Sequence, residues 1–320
     1  MKKSIAIVFS LLFSLFLISC AASLKNGRQE TKNDGDMVTI PRGWFFMGSN
    51  IAELNERPEH DVFLETFMID KYGVSAKDFA TFLNEKGNPD DVFFSSDKYS
   101  TIMVIPDAGD KTAVTEGERV RYMPRSGYEN YPANNVSWFG ADAYCRWKGK
   151  HLPTEAEWEK AARGDDKRIY PWGNSMPDDL KARYGQKWEE KGLAVMVPVD
   201  ALPEGASYYG VFNMAGNVWE WVSDWYRQNY CDFCSPTSES DLAIVATLMD
   251  NNEKPLVADN GSNRQIPPMT SPQGPSIGSY KVLRGGSWFD SYGESEIRSG
   301  YRYWFDPADR YFNIGFRCAR

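Results

Sequence analysis

Residues 136–164 read VSWFGADAYCRWKGKHLPTEAEWEKAARG, and this stretch has the clearest helix boundaries in the chain. Thr154 followed three residues later by Glu157 forms a capping box, which satisfies free N–H groups at a helix N-terminus. Trp158 falls on the inward face of the helix that follows, and Gly164 ends it. The preceding residues predict another helix from about Ser137 to Lys148.

Other blocks of comparable length occur in order along the chain. They are MVTIPRGWFFMGS (37–49), GVFNMAGNVWEWVSDWY (210–226), VLRGGSW (282–288) and NIGFRCAR (313–320). With residues 136–164 they resemble the formylglycine-generating, sulfatase-modifying factor family over roughly residues 36–320. The resemblance implies an α+β, C-type-lectin-like formylglycine-generating-enzyme fold, loop-rich, with few short strands and two or three helices.

The residue pattern predicts further elements of this domain. Alternation of apolar residues indicates a strand from Met37 to Met47 and another from Val62 to Ile69. Ser75 is typical of a helix N-cap, and Gly87 stops the helix that it begins. Residues 235–279 are rich in Ser, Pro and Asn, and we interpret them as a surface insertion.

The N-terminus resembles an export signal. Lys2 and Lys3 precede an apolar run at 5–18, which is short for a membrane span and has the length of a secretory signal. The run ends in LISC (17–20), a pattern typical of bacterial lipoproteins, in which the Cys20 thiol is diacylated. A plain signal peptide or an uncleaved anchor is the alternative.

These patterns divide the chain into three predicted parts: a lipoprotein signal peptide at 1–19, a lipidated Cys20 with a flexible tether at 20–36, and one domain at 37–320. Ala21 after the lipidated cysteine favours the outer membrane of the cell envelope. Without the signal peptide the chain has 34 basic and 44 acidic residues, which argues against a nucleic-acid partner.

The other four cysteines raise separate questions. The resemblance implies that Cys145 and Cys318 form a structural disulfide; two buried free thiols are the alternative. Cys231 and Cys234 form a lone CDFC, which lacks the further ligands that zinc requires. A local disulfide is the simplest interpretation of this pair, and a redox role is the alternative.

Only two histidines are present, His60 and His151, in different blocks. This number excludes a three-histidine iron site, and no elbow motif supports a Ser-His-Asp triad. We expect His151 to lie on the surface.

The resemblance implies structural calcium, which takes hard oxygen ligands. The matching positions of one site are Asn213, Gly216, Val218 and Glu220, with side-chain oxygens from the first and last and backbone carbonyls from the other two. A second family site would use Asp200 and the Leu202 carbonyl, but Arg183 appears where an asparagine ligand is expected. Arginine cannot ligate Ca²⁺ and could instead pair with Asp200, so we predict one calcium ion.

The resemblance also implies where a catalytic copper site would lie. Asp290 and Ser295 fall near the two positions at which the family's oxidase carries cysteines. Soft thiolates bind Cu(I), and neither a carboxylate nor a hydroxyl replaces them. We therefore expect no copper and no formylglycine synthesis.

Three functions remain open. The first is a lipid-anchored binding module for an envelope protein or a glycan, and the second is a scaffold component of a gliding or secretion type machine. The third is a sulfatase-modifying oxidase that generates formylglycine. The residues predicted to line a binding groove are Trp219, Arg284, Ser287, Trp288, Tyr303 and Trp304. Large amphipathic rings among them suit a contact surface.

Overall fold

Four α-helices and eleven short strands occur in the part of the chain that the computed structural model describes, residues 36–106, 120–230, 269–289 and 293–320. The helices are α1 (Ala76–Lys86), α2 (Trp138–Trp147), α3 (Glu155–Arg163) and α4 (Trp188–Lys191). The strands are β1 (Met37–Ile40), β2 (Gly43–Met47), β3 (His60–Leu64), β4 (Phe67–Asp70), β5 (Ile102–Pro106), β6 (Val120–Pro124), β7 (Trp219–Trp225), β8 (Met269–Thr270), β9 (Lys281–Arg284), β10 (Arg302–Phe305) and β11 (Ile314–Phe316). Loops and single 3₁₀ turns connect them, which confirms the loop-rich α+β fold.

The predicted helix boundaries are confirmed. Ser75 Oγ accepts a hydrogen bond from the Asp78 N–H at 3.1 Å, at the start of α1. The capping box of α3 is complete, because Thr154 Oγ1 accepts from the Glu157 N–H and Glu157 Oε2 accepts from the Thr154 N–H. The short helix α4 was not predicted, since four residues carry too little periodicity to be recognised.

The two long strands predicted near the N-terminus were wrong in their extent. Each is divided in two, and β1 pairs with β4 while β2 pairs with β3, both antiparallel and in one continuous register. The ladder is interrupted at Pro41, which has no N–H to donate. The next N–H, that of Arg42, donates to the Thr66 side chain at 3.1 Å and not to a strand.

The end of the predicted insertion belongs to a sheet. Strand β8 runs parallel to β3 and gives a three-stranded sheet in the order β2-β3-β8. The remainder of the insertion up to residue 268 lies outside the described residues, as do the predicted signal peptide and the tether at 20–35. Within the described ranges, no helix has the length and apolar character required to cross a bilayer.

A four-stranded sheet in the order β10-β9-β7-β11 lies at the centre of the domain. Helices α1 and α2 pack on it through an aromatic cluster in which Phe79 contacts Phe82, Tyr144 and Phe316 at ring-centroid distances of 5.6–5.9 Å. Helix α3 buries Trp158 completely. The Trp158 indole donates a hydrogen bond to Glu220 of β7, so α3 holds one of the strands that carry the candidate site.

A disulfide joins Cys145 in α2 to Cys318, two residues after β11, with 5.6 Å between the Cα atoms. It closes a loop with a sequence separation of 173 residues. The pairing implied by the family resemblance is therefore present, and it ties the C-terminus to the helical side of the domain.

Candidate functional site

A groove lined by aromatic side chains opens at one end of the central sheet. Its volume is about 680 Å³, within the range of ligand-binding pockets. Its aromatic lining consists of Trp219, Phe289, Tyr301, Tyr303, Phe305, Tyr311 and Phe312. Glu53, Ser295, Glu296 and Asn313 add polar atoms. We call this feature the aromatic groove.

The strands set the orientation of its rings. Trp219 begins β7 and stacks on Tyr303 of β10, with 5.5 Å between the ring centroids. Phe305 lies on the same side of β10 as Tyr303 because side chains alternate along a strand. It contacts Tyr311 at 4.6 Å. Phe289 and Tyr311 are 54% and 40% exposed, so the groove presents ring surface to solvent.

Three of the residues predicted to line the groove are buried beneath it. Arg284 and Ser287 are fully buried and Trp288 is 1% exposed, so this part of the prediction was wrong. Ser287 Oγ instead accepts hydrogen bonds from Asn313 Nδ2 and from the Phe289 N–H. Trp288 packs against Phe289 at 5.4 Å. Both residues therefore support the groove wall from behind.

Arg284 belongs to a buried charge network. Its members, each at most 5% exposed, are Glu155, Glu159, Arg163, Arg284 and Arg302. Arg284 donates to both glutamates and to the backbone carbonyls of residues 299 and 300, which lead into β10. Burial alone would raise the pKa of Glu159, but the guanidinium groups of Arg163 and Arg284 hold it below its usual value. The network fixes the strand that carries the groove wall.

Of Asp290 and Ser295, the two residues near the family's copper-binding cysteine positions, the structure describes only Ser295. Ser295 ends a 3₁₀ turn, Gly293–Ser295, and lines the aromatic groove. Asp290 lies outside the described residues, as do Cys20, Cys231 and Cys234. Both cysteines in the described ranges, Cys145 and Cys318, are held in the disulfide. A hydroxyl therefore lines the groove near the position at which the resemblance places a second thiolate.

The oxygen ligands of the predicted calcium site differ in how available they are to an ion. Asn213 Oδ1 is buried and has no hydrogen-bond partner in the described part of the chain. Gly216 and Asn217 have φ values of 74° and 66°, so the backbone turns sharply here. Glu220, however, accepts two hydrogen bonds from the Arg317 guanidinium and one from the indole of Trp158. Its charge is already neutralised, which weakens it as a ligand for an ion.

The predicted pairing of Arg183 with Asp200 was wrong. Asp200 Oδ1 accepts from Asn130 Nδ2 at 2.8 Å, and no ion pair joins it to Arg183 among the described residues. The Arg183 carbonyl accepts from the Asn217 N–H. Leu202 has φ 60°, a left-handed conformation. In the described ranges no three His, Cys, Asp or Glu side chains converge closely enough to hold a metal ion.

Several groove residues were not predicted. Glu53 lies in a polar loop, and nothing local indicates that the loop reaches the central sheet. Tyr311 and Phe312 directly precede Asn313, the first residue of the NIGFRCAR block, and their two aromatic rings were a usable signal. Trp304 was predicted to line the groove but faces a neighbouring pocket. Outside the site, His151 is on the surface as expected, with its side chain 49% exposed.

Comparison with known proteins identifies relatives of the whole domain. A family model described as a sulfatase-modifying factor enzyme 1-like domain matches residues 23–320. The formylglycine-generating enzyme of Thermomonospora curvata is 33% identical, with 88% of this chain and 92% of that enzyme covered. The inactive C-alpha-formylglycine-generating enzyme 2 of Bos taurus is 28% identical, with 96% of each chain covered.

Two further proteins match most of this chain, but the chain covers very different shares of their lengths. The chain is 29% identical to the serine/threonine-protein kinase pkn1 of Chlamydia caviae over 89% of its own length, but spans only 38% of that kinase. Among solved structures, PvdO from Pseudomonas aeruginosa matches with a TM-score of 0.58 and 25% identity, covering 89% of this chain and 93% of that one.

Proposed function

Because the chain belongs to the sulfatase-modifying factor enzyme 1-like family, we propose that it keeps the family's groove as a binding surface and does not oxidise sulfatase cysteines. The observation that supports this proposal most is that Ser295, which falls near the second cysteine position of the family's oxidase, lines the groove with a hydroxyl, and a hydroxyl does not replace a copper-binding thiolate. The two cysteines among the described residues, Cys145 and Cys318, form a disulfide, so neither can supply that thiolate. A relative named inactive in Bos taurus supports the view that the family includes non-catalytic members.

The proposed partner is an envelope protein or a glycan, bound in the aromatic groove. Tyrosine, tryptophan and phenylalanine give large contact areas at low entropic cost, and such residues dominate binding hot spots. The LISC pattern at 17–20 supports anchoring through a lipid on Cys20 at the outer membrane. A fixed scaffold role in a gliding or secretion type machine uses the same anchor and the same surface.

The binding proposal is tested by affinity capture from envelope extracts with the whole chain as bait. A Phe289→Ala, Tyr311→Ala double variant removes two exposed rings of the groove and should lose the partner. Tyr208→Ala, which removes a ring that is 55% exposed elsewhere, is the matched control and should retain it. Identical captured material with all three baits would contradict the proposal.

We also propose one structural calcium ion at Asn213, Gly216, Val218 and Glu220. The unpartnered Asn213 oxygen supports it, whereas the pairing of Glu220 with Arg317 predicts modest affinity. Calorimetric titration of the chelator-treated chain should find a single site, lost in Asn213→Leu. Two tight sites, or a single site that Asn213→Leu leaves intact, would show that this assignment is wrong.

A further inference from the structure

A second pocket opens beside the aromatic groove, with Arg302 and Trp304 of β10 in its lining. Its volume is about 450 Å³, within the size range of small-ligand sites. It shares Glu53, Tyr301 and Tyr303 with the groove but has its own wall, to which Trp304 and Tyr280 contribute. The two pockets therefore present different chemistry to a ligand.

The wall of the second pocket contains a stacked pair of rings. Tyr226 and Trp304 lie with 4.1 Å between their centroids and 18° between their planes. At this separation no ligand ring fits between them, so the pair forms a flat surface and not a slot. Tyr280, which is 46% exposed, adds another ring. A flat aromatic surface suits a ligand that has a flat apolar face of its own.

Polar side chains border this surface. Asn55 and Gln228 contribute amides, Tyr226 a phenol and Glu53 a carboxylate. Asn55 is held in place because its Nδ2 donates to Tyr226 Oη at 3.3 Å and to the Arg302 carbonyl at 3.2 Å. Amides and phenols both donate and accept hydrogen bonds, which suits a ligand rich in hydroxyl groups.

The charges of the lining argue against an anionic ligand. Arg302 is the one cation among the residues that line the pocket, and it is 3% exposed. Its Nε and Nη2 donate to Glu155, and its Nη1 donates to the backbone carbonyls of Asn55 and Arg227. With these donors engaged, the remaining formal charge in the lining is the exposed carboxylate of Glu53.

We propose that the second pocket binds a neutral sugar unit of a glycan. A pyranose ring has a face of C–H groups that packs on an aromatic surface, and a rim of hydroxyls that the exposed Gln228 amide and the Tyr226 phenol can reach. Proline-rich peptides also dock on aromatic surfaces. They are disfavoured here because the slot between Tyr226 and Trp304 is closed. The inference does not depend on the function of the aromatic groove.

The test measures binding of the whole chain to an array of neutral oligosaccharides, an anionic polygalacturonate and a polyproline peptide. Tyr280→Ala removes a ring of the second pocket, and Tyr311→Ala removes a similarly exposed ring that lines only the groove. At least one neutral oligosaccharide should bind. Its affinity should fall by about tenfold or more in Tyr280→Ala and stay unchanged in Tyr311→Ala.

Four results would overturn the proposal, and the first three contradict sugar binding in the second pocket directly. These three are the absence of binding to every neutral oligosaccharide, equal loss of binding in both variants, and binding of the polyproline peptide or the polygalacturonate alone. Loss in Tyr311→Ala alone would assign the sugar to the groove, which supports the proposed groove function and refutes a second site. The groove proposal is tested by a different experiment, the capture of a protein partner and its loss in the Phe289→Ala, Tyr311→Ala variant. Either proposal can therefore fail while the other stands.

Discussion

The carboxyl group of Asp224, in β7, is buried next to the start of α3. Its Oδ2 accepts hydrogen bonds from the Glu155 N–H and from Ser223 Oγ, while Oδ1 has no partner in the described part of the chain. Burial, reinforced by the negative charge of Glu155, raises the pKa of Asp224 from 3.8 to about 7. Between these two pH values the folded chain holds a proton that the unfolded chain releases.

The contribution of Asp224 to the free energy of unfolding should therefore fall as pH rises through this window and stay constant above it. Asp224→Asn keeps an oxygen acceptor but has no proton to lose. We expect this variant to exceed the wild type in stability at pH 8 by up to ~4 kcal/mol, with the difference shrinking towards pH 4. Urea unfolding of both proteins across this range measures the difference. A constant difference at all pH values would contradict the assigned pKa.

Arg317 is the buried partner of Glu220, and the two form a bidentate ion pair. Removing one member leaves the other charged and buried, so Arg317→Met should lower stability by about 3–5 kcal/mol. The double variant Arg317→Met, Glu220→Gln removes both charges and should recover the part of that loss that comes from the unpaired charge. The backbone carbonyls of residues 70, 71 and 212 lose their Arg317 donors in both variants. Chemical denaturation of the two variants tests this, and a double variant no more stable than Arg317→Met would count against a charge-based explanation.

Helix α2 packs so closely against the backbone at Phe93 that there is no room for a side chain at Gly140. A Cβ added at Gly140 would lie 2.5 Å from the Phe93 carbonyl oxygen and 2.9 Å from its Cα. The contact is with backbone, which cannot move aside as a flexible side chain can. The glycine is therefore required by the packing of the helix and not by its conformation.

Gly140→Ala should destabilise the domain by about 1–3 kcal/mol through overpacking, although alanine is the better helix former. Gly73→Ala is the matched control, because its added Cβ would meet its nearest neighbours at 3.8 Å, an ordinary contact distance. Thermal unfolding should show a clear loss for the first variant and little change for the second. A stabilised Gly140→Ala would show that the helix can shift away from Phe93.

Elements whose boundaries depend on neighbouring residues could be predicted from the sequence. Ser75 and Thr154 accept hydrogen bonds from N–H groups three residues away, so the signal lies within one turn. Strand β8 could not be predicted, because two residues become a strand only by pairing with the distant β3. Arg284 and Trp219 show the same limit in the site. Both stand in conspicuous motifs, but only contacts with distant residues place Arg284 against the glutamates of α3 and Trp219 against Tyr303 in the groove wall.

The buried charge network and the disulfide hold the central sheet together beneath a surface of rings, of which Phe289, Tyr303 and Tyr311 are exposed. The network fixes the residues that lead into β10, and β10 presents Tyr303 and Phe305 to the groove and Trp304 to the second pocket. This arrangement places the two candidate binding surfaces next to each other, with Tyr303 of β10 in both linings. A preorganised surface of this kind loses little entropy on binding, which suits a recognition module.

The aromatic groove is proposed to bind a partner without catalysing formylglycine formation. The most direct test incubates the whole chain with copper, reductant, O₂ and a peptide that carries a Cys-x-Pro-x-Arg sulfatase motif, followed by mass spectrometry of the peptide. We predict that the peptide keeps the mass of its cysteine form, as in a control without the protein, because Ser295 cannot supply a thiolate. Conversion of the peptide cysteine to the aldehyde above that control would show that the protein is catalytic and would contradict the proposed function. Loss of this conversion in Cys231→Ser would identify the thiol responsible.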